Sequence, residues 1–326
     1  MKKGYADLLS IISDGEIHSG EELADELSIS RAAIWKSIKH LRSLGLIIEA
    51  THGKGYKLHQ PMELLSAEKI SNKLSSIASR DCNKIDILFN TPSTNSCLFE
   101  RLEQSSIHGH VVLAEYQSAG KGRRGNQWLS ALGAGIYLSL GWHFDRSPAA
   151  PGLLSLYTAV AIVRALKSLG IDEARLKWPN DILIDNEKLG GVLLEIRGES
   201  CGAMDVVIGI GVNYDLPEYI IENIEQAVTD ICKHSPQQLS RNNIVAALIS
   251  HVIDVFHSIT EETYVELLNE WRQYDYYKNK TAKLMLPDKE ITGLLQGVDE
   301  QGSLLMLVDG KTERYTSGEI SLRMLE

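Results

Sequence analysis

The chain has 326 residues and a net charge of -10, and 44% of its residues are hydrophobic, a composition typical of a soluble globular protein with two or three domains. Its four cysteines are scattered without a CxxC pair, so neither a disulfide framework nor a zinc site is indicated, and we expect a reducing, cytoplasmic setting. The most apolar stretch, 152–163, is far shorter than the ~20 residues that cross a membrane, so no membrane partner is expected.

Positive charge is concentrated near the amino terminus of this acidic chain. Residues 30–60 contain six Lys and Arg and a single acidic residue, which makes this segment the one candidate for contact with nucleic acid. A helix is predicted here, capped by Ser30 and ended by Gly45. At ~100° per residue, its apolar side carries Ile34, Ile38, Leu41 and Leu44, and its basic side carries Arg31, Lys36, Lys39 and Arg42.

The elements around the basic helix predict a winged helix-turn-helix, a DNA-binding fold. Two short helices precede it, at 5–13 and 20–27, and two short strands follow it, at 46–50 and 56–58. The strands flank a glycine turn, 52–55, that exposes a lysine. The side chains expected to face the major groove are Arg31, Lys36 and Lys39, and Lys54 is expected to face the DNA backbone. A small helical domain with a solvated basic face is the alternative.

A mixed sheet covered by helices, an α+β architecture, is predicted for the middle of the chain. A short polar helix at 67–78 is interpreted as part of a connector, and the main core starts near Lys84. Strands are predicted at 85–89, 111–114, 136–140, 192–196 and 206–210. Helices are predicted at 95–104, 153–169 and 242–259.

The last 50 residues change character and predict a small β-barrel. Four short strands are expected there, at 282–286, 290–296, 304–308 and 313–316. They are separated by turn sequences rich in Asp, Gly and Pro. The predicted domains are a winged helix-turn-helix at 1–60, a connector at 61–83, a central catalytic domain at 84–276 and the β-barrel at 277–326.

The strongest chemical motif directly follows the second predicted core strand, in the segment 115–128. Three glycines, Gly120, Gly122 and Gly125, let backbone N–H groups approach an anion closely. The charge-assisted donors suited to phosphate or carboxylate are Lys121, Arg123 and Arg124. The segment does not match the P-loop spacing GxxxxGK[ST], and a flexible basic surface loop is the alternative.

Two weaker motifs lie at a predicted turn and at the start of a predicted strand. The Pro179-Asn180-Asp181 sequence leaves the Asp181 carboxylate available to a hard cation, although it is also common turn chemistry. Lys188 begins a strand beside two glycines, so that a ligand could lie against the backbone. A lone lysine there would usually be solvated.

Two further motifs are compatible with either a structural role or a role in ligand binding. Ser93-Thr94-Asn95 is most simply a helix cap, but its hydroxyl and amide groups could also hold a polar ring. The sequence 209–213, GIGVN, lacks the third glycine of a dinucleotide-binding fold, so we reject that interpretation. Its glycines are expected to allow close approach of a ligand to a strand.

In this order, the motifs resemble those of the bifunctional biotin-protein ligase and biotin operon repressor family. The matching segments are 93–95, 115–128, 177–181, 188–192, 209–213 and 318–323. The resemblance implies a class II synthetase-like biotin/lipoate ligase fold with an SH3-like terminal barrel. It also implies an enzyme that makes biotinyl-5'-AMP and pyrophosphate from biotin and ATP and then passes biotin to one Lys of a carrier domain.

The same resemblance implies the partners and cofactors. They are biotin, ATP with Mg²⁺, the biotin carboxyl carrier domain of acetyl-CoA carboxylase or another biotin-dependent carboxylase, operator DNA, and a second copy of the chain in an adenylate-loaded homodimer. No tightly bound metal is expected. The adenylate-loaded form would repress the biotin operon.

By resemblance, the residues that bind biotin are Ser93, Thr94, Asn95, Gln117, Gly120, Lys121, Gly122, Arg123 and Lys188. Those that bind ATP and the adenylate are Arg123, Arg124, Trp128, Asn180, Lys188 and Asn213, and Asp181 would help to place Mg²⁺. Arg123 and Lys188 would be catalytic, because joining a carboxylate to a phosphate requires two anions to be neutralised. The family's loop often has Arg where this chain has Lys121, which keeps the charge and loses the planar fork.

Two alternatives to this function stay open. A non-catalytic biotin-sensing repressor would need neither Lys188 nor Asp181, and both are present. A lipoate-type ligase would share the central fold and the adenylation chemistry. The glycine-rich loop and the attached winged helix favour biotin over lipoate.

Overall fold

The computed structural model of the chain describes residues 4–51, 53–146, 151–198, 202–235, 237–286, 289–316 and 321–324. His52 of the predicted wing turn lies outside these residues, as do 287 and 288 of a predicted terminal turn and 318–320 of the closing motif. Within the described residues, no helix combines the length and apolarity needed to cross a membrane.

The amino-terminal part is a winged helix-turn-helix, as predicted. Its elements are α1 (Gly4–Ile12), α2 (Gly20–Glu26), α3 (Arg31–Ser43), β1 (Ile48–Thr51) and β2 (Gly55–Leu58). The Ser30 hydroxyl caps α3 by accepting from the Ala33 N–H at 3.2 Å, and Gly45 follows the helix with a φ of +97°, a left-handed conformation that favours glycine. The predicted apolar side of α3 is buried at Ile34, Ile38 and Leu41 and only half-buried at Leu44.

The predicted single helix at 67–78 is wrong. The structure has two shorter helices, α4 (Ala67–Ser71) and α5 (Ala78–Asp81). The helix is interrupted because the Ser75 hydroxyl accepts from the Ala78 N–H at 3.1 Å and starts a new turn. This segment is also more than a polar link, since Leu65 and Ile70 are buried in the central core.

The central part contains a seven-stranded mixed sheet in the order β3-β4-β7-β11-β10-β9-β8. Its strands are β3 (Lys84–Thr91), β4 (His110–Gln117), β7 (Gly135–Phe144), β8 (Arg175–Lys177), β9 (Asp181–Ile184), β10 (Glu187–Gly198) and β11 (Met204–Asn213). Among these described strands, β3 and β4 form the parallel pair, and the other neighbours are antiparallel. All five predicted core strands are confirmed, and β8 and β9 were missed because they are too short for a periodic pattern.

Helices cover both faces of this sheet. They are α6 (Thr94–Leu102), α7 (Leu154–Ser168), α8 (Glu218–Ile221), α9 (Ile231–His234), α10 (Arg241–His257) and α11 (Glu261–Tyr274). Val111 and Leu113 of β4 pack in the core formed with α7 and α10. Val112, which points the other way, packs against Leu98 of α6. The three predicted helices are confirmed, and α11 was missed because most of its surface is polar.

The carboxy-terminal part is a five-stranded antiparallel sheet in the order β15-β14-β13-β12-β16. Its strands are β12 (Thr281–Met285), β13 (Glu290–Val298), β14 (Leu304–Val308), β15 (Lys311–Tyr315) and β16 (Ser321–Met324). The four predicted strands are confirmed and β16 is additional. Leu284 and Met306 join the central core, so this small all-β unit packs directly on the central part.

A buried ion pair fastens the segment after the winged helix to the central part. Arg241, at the start of α10, places Nη1 2.7 Å from Oε2 of Glu115, and the two side chains are 0% and 6% exposed. The other Glu115 oxygen accepts from the Leu65 N–H at 2.7 Å. Arg241 also donates to the Glu63 and Gly135 carbonyls at 2.9 and 3.0 Å. These bonds fix the chain direction at the point where it leaves the winged helix.

Candidate functional site

One cavity of about 940 Å³ lies where the sheet, the glycine-rich loop and the carboxy-terminal part meet. This volume lies within the range of small-molecule sites. The predicted biotin, ATP and metal residues that line it are Ser93, Thr94, Asn95, Gln117, Lys121, Gly122, Arg123, Arg124, Trp128, Asn180, Asp181, Lys188 and Asn213. Gly120 is outside the lining. The structure therefore brings together residues that are up to 120 positions apart in the sequence. Their individual roles in binding biotin, ATP and metal stay predictions.

The glycine-rich loop is a short hairpin. Its strands, β5 (Gly120–Lys121) and β6 (Gln127–Trp128), pair antiparallel, and the Gly122 N–H donates to the Asn126 carbonyl at 2.7 Å. A Cβ at Gly120 would lie 2.6 Å from the Trp128 carbonyl oxygen, so only glycine fits there. Gly120 thus serves the hairpin, which explains its absence from the cavity wall.

A buried polar cluster closes one end of the cavity. The Thr94 N–H donates to Oε1 of Gln117 at 2.9 Å, and the Ser139 hydroxyl lies 2.7 Å from the Thr94 hydroxyl. Ser93 occupies the position before α6 but makes no capping hydrogen bond. The helix-cap interpretation is therefore right about the position of Ser93 and wrong about its capping hydrogen bond, and residues 93–95 line the cavity.

Asn95 is held by the protein at both ends of its amide. Its Oδ1 lies 2.5 Å from the Ser139 hydroxyl, and its Nδ2 donates to Oε2 of Glu195 at 2.8 Å. A Cβ at Gly209 would lie 2.4 Å from Oδ1 of Asn95. Gly209 therefore makes room for a protein side chain while it also lines the cavity, and the expected approach of a ligand to this strand stays a prediction.

Trp128 explains the second glycine of the same strand. A Cβ at Gly211 would lie 2.8 Å from the Trp128 ring. Lys188 places Nζ 5.6 Å from the ring centroid on the cavity side, within the range of a cation–π contact. The indole therefore packs against Gly211 of β11 and forms part of the cavity wall.

The cationic end of the cavity is organised around Asp181. Lys188 places Nζ 2.8 Å from Oδ1 of Asp181, and both side chains are mostly buried, at 18% and 15% exposure. The pairing follows from the hairpin of β9 and β10, whose register shifts between Lys188 and Gly190. Arg123 approaches from the glycine-rich loop, with Nη1 3.5 Å from Oδ1 of Asn180.

The electrostatics of this end favour an anionic ligand. Burial lowers the pKa of the Arg123 guanidinium, and the nearby Asp181 carboxylate opposes that shift. Arginine is effectively always protonated in proteins, so the Arg123 guanidinium carries its charge near neutral pH. Together, Arg123, Lys188 and Asp181 carry a net positive charge, which favours a carboxylate or phosphate at this end of the cavity.

Asp181 is the predicted metal ligand, and it is engaged by Lys188 in this structure. No group of three or more His, Cys, Asp or Glu side chains within the described ranges is arranged to hold a metal. Mg²⁺ is typically held by one or two carboxylates together with water and substrate phosphates. The residues present fit that mode only when phosphates complete the ligand set.

The Asn213 side chain donates hydrogen bonds to two backbone carbonyls. Its Nδ2 donates to the Lys188 carbonyl at 3.2 Å and to the Thr229 carbonyl at 2.9 Å. It joins β10, at Lys188, to Thr229, which directly follows the segment 223–228 that forms another wall of the cavity. Its predicted contact with the adenylate is an additional role that these bonds leave open.

Sequence reasoning missed three residues of the site. Ser139 and Glu195 support Asn95, and each interrupts an apolar strand, a signal that could have marked them. Tyr277 reaches the cavity from the approach to the carboxy-terminal part, and its hydroxyl bonds to Asn186. Burial raises the pKa of Tyr277 to about 12, so its hydroxyl stays protonated. No local pattern indicates that position.

A second candidate site is the exposed face of α3. The side chains of Arg31, Lys36, Lys39 and Lys54 are exposed, as the predicted DNA contacts require. Arg42 differs from them, because its Nε and Nη2 donate to the Ile48 carbonyl at 3.0 and 2.5 Å. It ties α3 to the wing.

Comparison with known proteins finds family matches in all three parts of the chain. Family models match the biotin/lipoate A/B protein ligase family over residues 89–213, an HTH domain over 6–57 and the biotin protein ligase C terminal domain over 279–323. A solved biotin protein ligase from Aquifex aeolicus, in complex with biotin and ATP, is 25% identical with a TM-score of 0.62 and covers 74% of this chain and 100% of that chain.

Similarity over nearly the whole chain extends to proteins named as both ligase and repressor. The bifunctional ligase/repressor BirA of Escherichia coli (strain K12) is 37% identical over 323 residues, which cover 98% of this chain and 97% of that protein. BirA of Bacillus subtilis (strain 168) is 28% identical over 326 residues, with 97% and 98% coverage. Since the winged helix, the central sheet and the terminal strands all align in one order, this chain belongs to the family of BirA bifunctional ligase/repressor proteins.

Proposed function

We propose that the chain is a biotin-protein ligase that forms biotinyl-5'-AMP from biotin and ATP, transfers biotin to a lysine of a biotin carboxyl carrier domain, and represses the biotin operon when loaded with the adenylate. The observation that carries the proposal is the arrangement of Lys188 and Arg123 opposite a buried polar cluster in one cavity. The basic winged helix on the same chain supports the repressor role.

The two ends of the cavity suit the two ends of biotin. The ureido ring carries N–H donors and a carbonyl acceptor, and we place it against Ser93, Thr94 and Gln117. The carboxylate then extends toward Lys188 and Arg123. Their positive charges offset the repulsion between that carboxylate and the α-phosphate, so that the carboxylate oxygen can bond to phosphorus as pyrophosphate leaves.

Transfer needs no covalent enzyme intermediate. The neutral amine of the acceptor lysine attacks the carbonyl carbon of the adenylate, the C–N bond forms, the bond to the phosphate oxygen breaks, and AMP leaves while the amine loses a proton. We place the adenine beside Trp128, near Asn213. The wall formed by 223–228 and the hairpin of the glycine-rich loop would shield the adenylate from water.

For the metal, we propose that Asp181, with Asn180 nearby, helps to hold Mg²⁺ that enters with ATP. Mg²⁺ would neutralise phosphate charge there.

We propose a cytoplasmic protein that dimerises in its adenylate-loaded form. We also propose that the chain is divided into domains at residues 60, 83 and 276. The buried side chains of residues 8–58 form a cluster separate from the central core, which supports the first of these boundaries, although Leu132 of the central part packs into that cluster.

The decisive experiment is exchange of labelled pyrophosphate into ATP, with biotin and lipoate as parallel substrates. Exchange with biotin alone is the expected result. Exchange with lipoate alone would assign the chain to the lipoate branch of the family. Biotin binding without exchange would leave a non-catalytic biotin-sensing repressor.

Replacing Arg31, Lys36 and Lys39 together with alanine should weaken DNA binding at all sequences and leave biotin ligation unchanged. For every DNA phosphate that is no longer neutralised, the log–log slope of affinity against salt should become shallower by roughly 0.9. Binding is measured by fluorescence anisotropy over a salt series. The matched control replaces three exposed lysines outside α3, at Lys73, Lys289 and Lys311, and should leave the slope unchanged. An unchanged slope in the variant that lacks the three cations of α3 would contradict the assignment of the exposed face of α3 to DNA binding.

Glu195→Gln should speed adenylate release up to about five-fold, because exposed ion pairs contribute at most ~1 kcal/mol. Oε1 of Glu195 lies 3.6 Å from Nζ of Lys121, so the carboxylate links the glycine-rich loop to β10. Glutamine keeps a partner for Asn95 and loses the charge. The measurement is the off-rate of labelled adenylate.

Lys121→Arg is the matched variant for the same contact. The planar guanidinium can engage Glu195 through two hydrogen bonds, so release should be slower than in the natural chain. In the Glu195→Gln background this benefit should disappear. Identical release rates in all four proteins would mean that the pair does not hold the loop.

A further inference from the structure

Trp35 is the exception among the five tryptophans of the chain. Trp142, Trp178 and Trp271 are buried, and Trp128 is half-buried in the wall of the ligand cavity. Trp35 is 54% exposed, on the second turn of α3. An indole is the largest apolar side chain, so its exposure leaves a large apolar surface in water.

The cations of the winged helix surround this indole. Lys39, one turn further along α3, places Nζ 5.6 Å from the ring centroid, within the range of a cation–π contact. Arg31 lies one turn before it on the same side of the helix. The buried stripe that includes Ile34 and Ile38 faces away, so the indole stands in the middle of the cationic face.

The charge of this face selects the class of partner. A single exposed apolar side chain is ordinary on a protein surface, but the segment 30–60 has six cations and one acid. Such a face complements a phosphate backbone. In a helix-turn-helix, the amino-terminal half of the second helix is the part that reaches base edges in the major groove, and Trp35 lies in that half.

We propose that Trp35 reads a thymine in the major groove through contact of its indole face with the C5-methyl group, an inference that rests on the proposed DNA-binding function. The indole has one donor and no acceptor, so it cannot make the bidentate hydrogen bonds that specify guanine or adenine. The thymine methyl is the apolar group that a base pair presents in this groove. The neighbouring cations then hold the backbone while the indole selects the base.

The test begins with duplex DNA selected from a randomised library by the full-length chain in the presence of biotin and ATP. Each thymine of the selected site is then replaced by uracil, which removes only the methyl group. At one thymine per half-site, uracil should weaken binding by the natural chain about four-fold, the equivalent of one buried methyl group. Trp35→Ala should bind thymine and uracil equally at that position, and Trp35→Phe should keep most of the preference.

The matched control is Ile47→Ala, which removes an apolar side chain that is 66% exposed in the same domain but outside α3. This variant should keep the four-fold effect. Biotin-dependent pyrophosphate exchange should be the same in all variants, which verifies that the central part is folded. Retained sequence-selective DNA binding by Trp35→Phe and Ile47→Ala verifies the fold of the winged helix. Two results would overturn the inference about Trp35 without affecting the proposed DNA binding. One is a loss of affinity with uracil that persists in Trp35→Ala, and the other is no loss of affinity at any thymine in the natural chain. Failure of the natural chain to select any sequence would overturn the DNA-binding proposal as well.

Discussion

Replacing Lys188 with alanine should lower the rate of adenylate formation by about 10²- to 10³-fold, the usual loss when a preorganised donor to a developing charge is removed. Lys188 is mostly buried and carries its charge 2.8 Å from Oδ1 of Asp181. Its position at the start of β10 directs the ammonium group into the cavity that we assign to biotin and ATP. The measurement is single-turnover formation of labelled biotinyl-5'-AMP.

Two variants separate the charge of Lys188 from its role in packing. Lys188→Arg keeps a cation with different geometry and should recover part of the rate. Asp181→Asn removes the partner carboxylate and keeps the shape of the side chain. If Asp181 also helps to hold Mg²⁺, this variant should need more Mg²⁺ for half-maximal rate, whereas a purely orienting role would leave that requirement unchanged. Full activity of Lys188→Ala would refute the assignment of the catalytic end.

The sequence predicted elements that are specified locally. The Ser30 cap and the apolar spacing of α3 depend on neighbours within a few turns, and both are found in the structure. Long apolar runs such as 206–210 likewise predicted core strands correctly. Elements with weak local signals, such as β8, β9 and α11, were missed because their stability comes from the core against which they pack.

The contacts of the site could not be predicted in the same way. The cap at Ser93 was a sound local inference, but its side chain makes no capping hydrogen bond. Gln117, Ser139 and Glu195 bond to the next two residues, Thr94 and Asn95, and hold them against the sheet. The glycine at position 209 makes space for Asn95, which only the folded sheet brings beside it. Residues from separate elements thus decide what a motif does, even where the motif itself is recognised correctly.

Arg241→Ala should destabilise the protein by about 3–5 kcal/mol, the usual cost of removing one partner from a buried ion pair. The variant leaves the Glu115 carboxylate buried at 6% exposure without its cation. It also removes the donors to the carbonyls of Glu63 and Gly135. The free energy of unfolding is measured in urea, with circular dichroism and tryptophan fluorescence followed in parallel.

The control is Arg164→Ala, which removes the arginine of another ion pair, with Glu270, whose side chains are 40% and 21% exposed. Because water can solvate the remaining carboxylate, the expected loss there is at most ~1 kcal/mol. Equal losses in Arg164→Ala and Arg241→Ala would show that burial of Glu115 adds no penalty.

Truncating Glu115 together with Arg241 tests the cause directly. If the penalty comes from the uncompensated carboxylate, Arg241→Ala/Glu115→Ala should cost clearly less than the sum of the two single variants. The Leu65 N–H, which donates to Glu115, should exchange faster with solvent in every variant that lacks this carboxylate. The ion pair joins β4 to α10, which are 126 residues apart in the sequence. The same contact would therefore secure both the central core and the segment that leads to the winged helix.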